Sequence, residues 1–532
     1  MSTIPEGIEA SPAVLAKYEQ FGGSYRWWVT CIAMLGSFAT LLSATVINVA
    51  IPDMMGSLGM SPDEAQWLAT AFLAAGTITM LMNTWLIRVL GIAGTFSLGL
   101  SIFVISSFAG AVAQNTEMLL LTRAVQGAAA GVVQPISMLL IAQVFPVRSR
   151  GLAMGLMGVG TILAPALGPT LGGFLVDNLS WRWVFIAPIP AVLPAILLAF
   201  VFFPGREAQT ERPTFDWEGL ALAATYIIAF LIGLTRLQRE GVYDPDAAVW
   251  LVVGGLAFVG WVLWELRSPD PLLDLRLFTN VRFTAAATVT FIFGGVLYSS
   301  TYVFPLYTQY VSRLIPTDSG LIMAPAGLVM AVLFPICGYL SDIATPRRMI
   351  VTGLLIFAAS NIPMAYADAM TPISQLVGWY VLGRIGMACL FPSLNAVCMN
   401  ALPLHLMPHG SACVNFMRQL GGAFGVNLMV MFVTRREAVH LDHVSATQNW
   451  ANHSTMEQLR LAQEQLAQLG QIGYQSFEMS FGFVMQSVST LSTMLAYRDA
   501  FWLITLITLV TVVPAWFSGS APGGRLVSET SR

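Results

Sequence analysis

Residues 27–51 read WWVTCIAMLGSFATLLSATVINVAI, twenty-five side chains without a charge. As an α-helix rising about 1.5 Å per residue, this run extends ~37 Å, more than the ~30 Å hydrocarbon core of a bilayer. Apolar runs of similar length recur at 65–87, 91–112, 118–145, 151–176 and 183–203, then at 217–235 and 247–264. Six more follow at 283–307, 319–340, 349–367, 373–398, 410–433 and 500–516. That is fourteen spans, grouped six, two and six. No segment sustains the period-two alternation of a barrel strand. The whole chain agrees: 532 residues, 56% hydrophobic, only 10% charged, with mean hydropathy +0.71. A soluble domain carries about 25% charged residues to keep its surface wet. The fold class is an all-α polytopic membrane protein.

Composition also excludes functions. Lys17 is the only lysine, and it lies in Ala-Lys-Tyr. A phosphate-cradling Gly-Lys loop, Schiff-base chemistry and a kinase-type lysine are therefore absent. A net charge of −3 leaves no basic footprint for nucleic acid. Cys31, Cys337, Cys389, Cys398 and Cys413 all fall in apolar runs, with no Cys-x-x-Cys. They read as small core side chains, neither disulfides nor metal ligands. His405 and His409 have metal-ligand spacing, but Pro408 interrupts the helix between them, so no metal site is expected. The polar start before the first span has no cleavable h-region, so that span reads as a retained anchor.

The spans divide the chain into a tail (1–26), a six-helix bundle (27–203), two additional helices with linkers (204–282), a second six-helix bundle (283–517) and a tail (518–532). An even span count puts both termini on one side. Placing them in the cytoplasm gives that side's loops fourteen Lys and Arg, against four in the opposite short loops, as the positive-inside rule requires. The one long polar loop, 434–498, falls on the periplasmic side. Within it Met456, Leu459, Ala462, Leu466 and Leu469 recur at spacings of three and four up to Gly470, which predicts an amphipathic helix. Two readings of that helix stand open: a lid lying on the membrane surface, or a docking surface for another envelope protein.

The two bundles echo each other. The fourth span of the first reads Arg123-Ala-Val-Gln126-Gly127 with Pro135 downstream; that of the second reads Arg384-Ile-Gly386 with Pro392 downstream. Matched halves with interrupted helices at corresponding positions point to a secondary transporter. Seven motifs in order then resemble the major facilitator superfamily, in its fourteen-span drug:proton antiporter branch of the EmrB/QacA type. They are Thr45-Val-Ile-Asn48-Val-Ala-Ile-Pro52, Asp63-Glu64-Ala-Gln-Trp67, Arg123 to Gly127, Gly168-Pro169-Thr-Leu-Gly172-Gly173 with Ser180-Trp181-Arg182-Trp183, Asp216-Trp217, Asn415-Phe-Met-Arg418-Gln-Leu-Gly421-Gly422, and Ala496-Tyr497-Arg498-Asp499. The resemblance covers 27–516. The chain departs from it in two places. The branch's first-span aspartate falls at Ser43, and its charged loop between spans two and three is reduced to Arg88-Val-Leu-Gly91-Ile-Ala-Gly94. The second-half counterpart is kept as Gly338-Tyr-Leu-Ser-Asp342 with Arg347 and Arg348.

Three arginines lie at bilayer depth, Arg123, Arg384 and Arg418, where an ionisable group costs roughly 2.5–3.5 kcal/mol. With Glu117, which is one turn or two from Arg123, and Gln126, they are the transport and coupling candidates. No acid lies near the middle of a span. Asp53, Asp63, Glu64, Glu117, Asp216, Asp342 and Asp499 sit at span ends and read as helix caps or loop residues. Asp342 reads as a gate residue pairing with Arg347 or Arg348. In the fifth span Gly160, Ala164, Gly168 and Gly172 recur every four residues and make a smooth face for close helix approach. Pro165 and Pro169 loosen the ladder between them. The resemblance implies that this stripe, with Gly173, packs the two halves together. Asn48, Gln134, Tyr298, Tyr302, Asn415 and Gln419 are candidates for the cargo cavity. With arginines as the only deep charges, neutral or weakly acidic cargo is easier to hold than a cation.

The expected function is export of hydrophobic or weakly acidic drugs from a bacterial inner membrane, in exchange for protons. The resemblance implies no cofactor beyond the proton gradient. It also implies a periplasmic membrane-fusion adaptor and an outer-membrane channel as partners. The alternative is a dedicated exporter of one metabolite, such as a siderophore, fatty acid or antibiotic. A membrane enzyme would need a His, Asp or Ser cluster in the spans, and none is present.

Overall fold

The computed structural model describes residues 8, 10–206, 214–241, 244–449, 452–468 and 474–519. Leu469, Gly470, residues 1–7 and 9 of the first tail and residues 520–532 of the second lie outside the described residues, as do the side chains of Asp63 and Pro169. The chain folds into helices α1 (Pro12–Phe21), α2 (Tyr25–Leu58), α3 (Pro62–Leu81), α4 (Asn83–Ala111), α5 (Thr116–Val144), α6 (Arg150–Asn178), α7 (Trp183–Ile186), α8 (Ile189–Phe202), α9 (Trp217–Glu240) and α10 (Pro245–Glu265). After a linker come α11 (Val281–Tyr310), α12 (Pro316–Ile343), α13 (Pro346–Met364), α14 (Ile373–Asn400), α15 (Met407–Thr447), α16 (His453–Gln468) and α17 (Tyr474–Trp516).

Twelve segments are long and apolar enough to cross a membrane by themselves. Helices α3 and α13 join them by topology. Each has 19 or 20 residues, about 30 Å, and each connects opposite ends of neighbouring crossings. With them, the described residues hold fourteen segments of crossing length. Local chemistry sets their ends. Ser61 and Glu64 form a capping box at the head of α3. Asn115, Asp216 and Asp244 accept from backbone N–H groups at the heads of α5, α9 and α10. Gly91 breaks α4 with φ 74°. A Cβ there would meet the Arg206 backbone nitrogen at 2.5 Å, so glycine serves both the turn and the close approach.

Helices α2–α8 pack as one bundle and α11–α17 as another. Outward faces carry exposed apolar residues such as Leu197 (69%), Phe200 (63%) and Leu256 (70%), the pattern of a surface that faces lipid. The additional pair α9–α10 lies over the seam between the bundles. α9 packs on α3 of the first half and α15 of the second, with Phe230 against Phe424 and Trp261 against Phe416.

The expected loop at 434–498 is not a loop. α15 continues to Thr447 and α17 begins at Tyr474, so these helices have 41 and 43 residues, about 60 Å each and twice the hydrocarbon thickness. Their polar composition reflects helix outside lipid, not absence of helix. α16 is the expected amphipathic helix, and its apolar face packs on α17. Leu459 is buried with Val484 and Val488 of α17, and Met456, Leu441 and Val444 pack beside them. At the root of this hairpin, Asp499 receives Arg436 at 2.5 Å and His440 at 2.8 Å, which binds α15 to α17. The end of the molecule bearing this projection is called the hairpin face below, and the other the termini face.

Candidate functional site

Arg123 lies about 10 Å along α5 from its start at the hairpin face and is 1% exposed. Its Nε donates to Leu68 O (3.2 Å), and its Nη1 to Gln126 Oε1 (3.0 Å) and to Ser43 Oγ (3.3 Å). Gln126 Nε2 passes the chain on to Ser107 Oγ at 2.8 Å, and the Phe72 ring covers the guanidinium at 4.4 Å. Nη2 is buried without a partner. The expected partner Glu117 is exposed and takes no part. Ser43, standing where the resembled branch has an acid, receives the arginine with a hydroxyl.

Arg384, at the matching place in α14, is wired differently. It donates to Thr301 Oγ1 (3.1 Å) and to the Tyr380 hydroxyl, and lies 4.5 Å from the Tyr380 ring centre. A cavity with room for about one water opens between Arg384, Asn361, Ser360 and Phe501.

Arg418 lies about 17 Å from the start of α15, near the bilayer midplane. Nη2 donates to Asn415 Oδ1, while Nη1 is buried without a partner. Phe391 lies under the guanidinium at 5.2 Å. Asn395, one turn further along α14 on the same face, is 2% exposed, and its Nδ2 also lacks a partner. Asn415 Nδ2 reaches across the seam to Met138 Sδ in the first half at 3.3 Å. Arg418 thus carries a full positive charge and an orphan donor beside an aromatic ring, with Asn415 reaching across the junction of the halves, and Asn395 supplies a second orphan donor on the neighbouring helix. Among the described residues no ion pair reaches Arg123, Arg384 or Arg418. Such a site suits a hydrogen-bond acceptor or an anion and repels a permanent cation.

The other cavity candidates disperse. Tyr298 lines this site, with its ring against Gly422. Gln419 approaches Gly76 of α3. Gln134 is buried, Tyr302 is 40% exposed and Asn48 is exposed.

Close contacts between the halves gather on the termini face. Asp342 Oδ1 accepts from Gly151 N (2.7 Å) and Oδ2 from Leu152 N (2.8 Å), at the N-terminus of α6. This is a carboxylate on a positive helix end. It replaces the expected ion pair: Arg347 stands 3.8 Å over the Trp516 ring, and Arg348 is exposed. Arg150, counted in the sequence only among the loop charges, is fully buried and donates to Asn400 Oδ1 in the other half at 2.8 Å.

The glycine stripe also sits elsewhere. A Cβ at Gly160 would meet Met34, one at Gly168 would meet Thr45 Oγ1 at 2.3 Å, and one at Gly172 would meet Val46 O at 2.9 Å. These positions, with buried Ala164, pack α6 on α2 inside the first half; Pro165 is exposed and Gly173 half-buried. The contact expected of them is made by Gly151, Gly155 and Gly158 instead. Their Cβ positions fall 2.3–2.6 Å from Gly338, Phe334 and Asp342 of α12. The signal was available, since a four- and three-residue glycine spacing starts at the second residue of α6. Asn395 and Glu265 were missed as well, the first as one amide in an apolar run, the second as the polar end of a span.

Residues 33–426 match the family model described as Major Facilitator Superfamily. The chain is 27% identical over 487 residues to an uncharacterized MFS-type transporter, YhcA, of Bacillus subtilis, covering 91% of each. It is 28% identical to the multidrug export protein EmrB of Escherichia coli K12, covering 93% of this chain and 96% of that one. Among solved structures it superposes on the proton:xylose symporter XylE with TM-score 0.62 at 12% identity, covering 94% of this chain and 97% of XylE.

Proposed function

Since the chain belongs to the major facilitator superfamily and is a multi-pass membrane transporter rather than an enzyme, we propose that it exports hydrophobic and weakly acidic drugs or related amphiphiles by alternating access, in exchange for protons. The carrying observation is the orphan pair Arg418 Nη1 and Asn395 Nδ2 at the seam. A buried cation without a counter-ion is strongly unfavourable, and a cargo carboxylate, phenolate or carbonyl relieves it. Apolar walls from Phe391 and Met138 take the rest of the molecule. The multidrug export protein among the relatives supports drugs as the cargo class. The proton gradient is the proposed energy source, with no cofactor. The proposed location is a bacterial inner membrane with the termini face in the cytoplasm, from the Lys and Arg bias. The α15–α17 hairpin would then project into the periplasm, where an adaptor and outer-membrane channel would engage it.

Inverted vesicles test the reading. A lipophilic carboxylic acid, its primary amide and a quaternary ammonium dye are offered with and without a pH gradient. Expected is gradient-dependent uptake of the acid and amide, with little of the dye. Arg418→Gln should lower uptake of the acid more than tenfold and that of the amide less. Preferential uptake of the permanent cation overturns the proposal. Uptake of one compound alone across a broad panel replaces it with the dedicated-exporter reading.

A further inference from the structure

The additional helices α9 and α10 hold a group of buried polar atoms that the cargo site does not use. Glu265, the last residue of α10, is 3% exposed. Its Oε1 has no well-formed partner, and its Oε2 accepts a long bond from Leu273 N at 3.4 Å, with the Leu272 N–H also close to the carboxylate. Asp216, at the head of α9, is 8% exposed. Its Oδ1 accepts from Gly219 N and Trp264 Nε1, both at 2.8 Å, while Oδ2 has no partner. Two further buried donors point to the same place. The Tyr226 hydroxyl, 1% exposed and without a partner, lies within electrostatic reach of the Glu265 carboxylate. The Trp261 indole N–H, one turn before Glu265 on the same face of α10, approaches that carboxylate without closing a full hydrogen bond. No ion pair reaches either acid among the described residues.

We propose that Glu265, with Asp216 beside it, is a proton-binding site that loads and empties on the termini face and controls whether the seam under α9 and α10 opens there. Two carboxylates in one low-dielectric pocket without a cation do not both stay charged. In this proposal the closed form is the proton-bound form. When the proton leaves for bulk water, the Glu265 anion faces Asp216 and must recruit water or move away.

The linker after α10 makes that change matter. Leu273 N donates to Glu265, and the next amide, Asp274 N, donates to His409 Nδ1 at the head of α15 at 3.3 Å. Asp270 of the same linker pairs with Arg88 of α4 at 3.4 Å, and Asn280 donates to Ala401 O at 2.8 Å. One strap thus touches the additional pair, the first half and the second half. The groups that face Glu265 and its strap are Asp216 and Tyr226 from α9, Trp261 and Trp264 from α10, His409 and Cys413 from α15, Asp270 and Asp274 from the strap, and Arg88 from α4. Arg88 is already engaged by Asp270, and the His409 ring accepts at Nδ1, so neither neutralises the two acids.

The inference rests on the exporter reading in one respect: opening of this face is what admits cargo. The test keeps the two apart. Spin labels on Leu90→Cys and His405→Cys, exposed positions on either side of the seam, report its width in the full-length, lipid-reconstituted chain with its five native cysteines replaced by serine. Expected between pH 5 and 9 is a short distance at acid pH and a growing longer population as pH rises. Glu265→Gln, neutral at every pH, should stay short throughout. Glu265→Asp should keep a pH response with a displaced midpoint. Asp216→Asn, which retains the helix cap, should move the midpoint down by about one pH unit because a like charge is gone. Opening of the Glu265→Gln chain along the wild-type profile overturns the proposal, as does a wild-type chain without a pH response. Loss of the response in His409→Gln assigns it to the histidine and overturns it equally. Binding of the lipophilic acid is measured on the same samples. Absent acid binding with Glu265-dependent opening removes the exporter reading and leaves the proton site standing.

Discussion

The two halves close the termini face by different chemistry at corresponding places. In the second half, Asp342 at the end of α12 puts a full carboxylate on two free N–H groups at the start of α6. In the first half, the matching stretch after α3 has no acid. The strap from α10 holds the start of α15 through His409 and the end of α14 through Asn280, with Arg88 fastened to Asp270 at the surface. One side is a charge on a helix dipole, strong and short. The other is a length of chain whose hold passes through a buried acid. A duplicated fold can thus keep its geometry while one copy of the latch exchanges a fixed charge for a titratable one.

The largest effect should come from the backbone contact under the charged latch. A side chain at Gly151 would enter the space of Gly338 O at 2.5 Å and of the Asp342 carboxylate at 2.6 Å. Gly151→Leu should destabilise the closed form by at least about 3 kcal/mol, or about a hundredfold. The labels across the seam should then read open at every pH. A chain that still closes would show that the strap side alone suffices.

How much of this was legible in the sequence follows a physical line. Residues in lipid must be apolar and long in run, so the crossings, including the broken sixth, could be read from 27–51 onward. The extended ends of α15 and α17 could not, because helix outside lipid has the composition of a loop. Arg123, Arg384 and Arg418 stood out as charges in apolar runs, and the structure buries all three. Of their partners, Gln126 and Asn415 were also legible, whereas Ser43, Thr301 and Tyr380 are ordinary residues that nothing in the sequence singles out. The glycine stripe was visible as a smooth face, yet periodicity cannot say which helix meets it: Gly168 meets Thr45 of the same half. Glu265 was passed over because an acid at the end of an apolar run looks solvated. Only the strap folding back over it makes it buried.

Removing the charge but keeping the shape of the latch separates its electrostatics from its packing. Asp342→Asn keeps one acceptor oxygen for Gly151 N or Leu152 N and loses the negative charge. Hydrogen bonds to charged groups contribute about 1.5–3 kcal/mol against ~1 for neutral ones, and the helix end adds a few tenths to 1. The closed population should fall about five- to thirtyfold at fixed pH, read from the same labels. The midpoint set by Glu265 should change little, because the two acids share no hydrogen-bond partner. A large midpoint shift would mean that the two closures are coupled into one switch.

The smallest effect should be at Arg88. Its bond to Asp270 is 3.4 Å long, and the side chains are 38% and 41% exposed, so solvent screens the pair and its worth is at most about 1 kcal/mol. Arg88→Gln should change the closed population less than about threefold. The strap remains fastened by Leu273, Asp274 and Asn280, none of which depends on that charge. Raising ionic strength from 0.05 to 0.5 M should reproduce whatever small loss the variant shows and add nothing to it. If Arg88→Gln instead matches Asp342→Asn, the first half also closes by charge, with Asp270 as the acid that its own loop lacks. The contrast between the halves would then be one of chain connectivity alone.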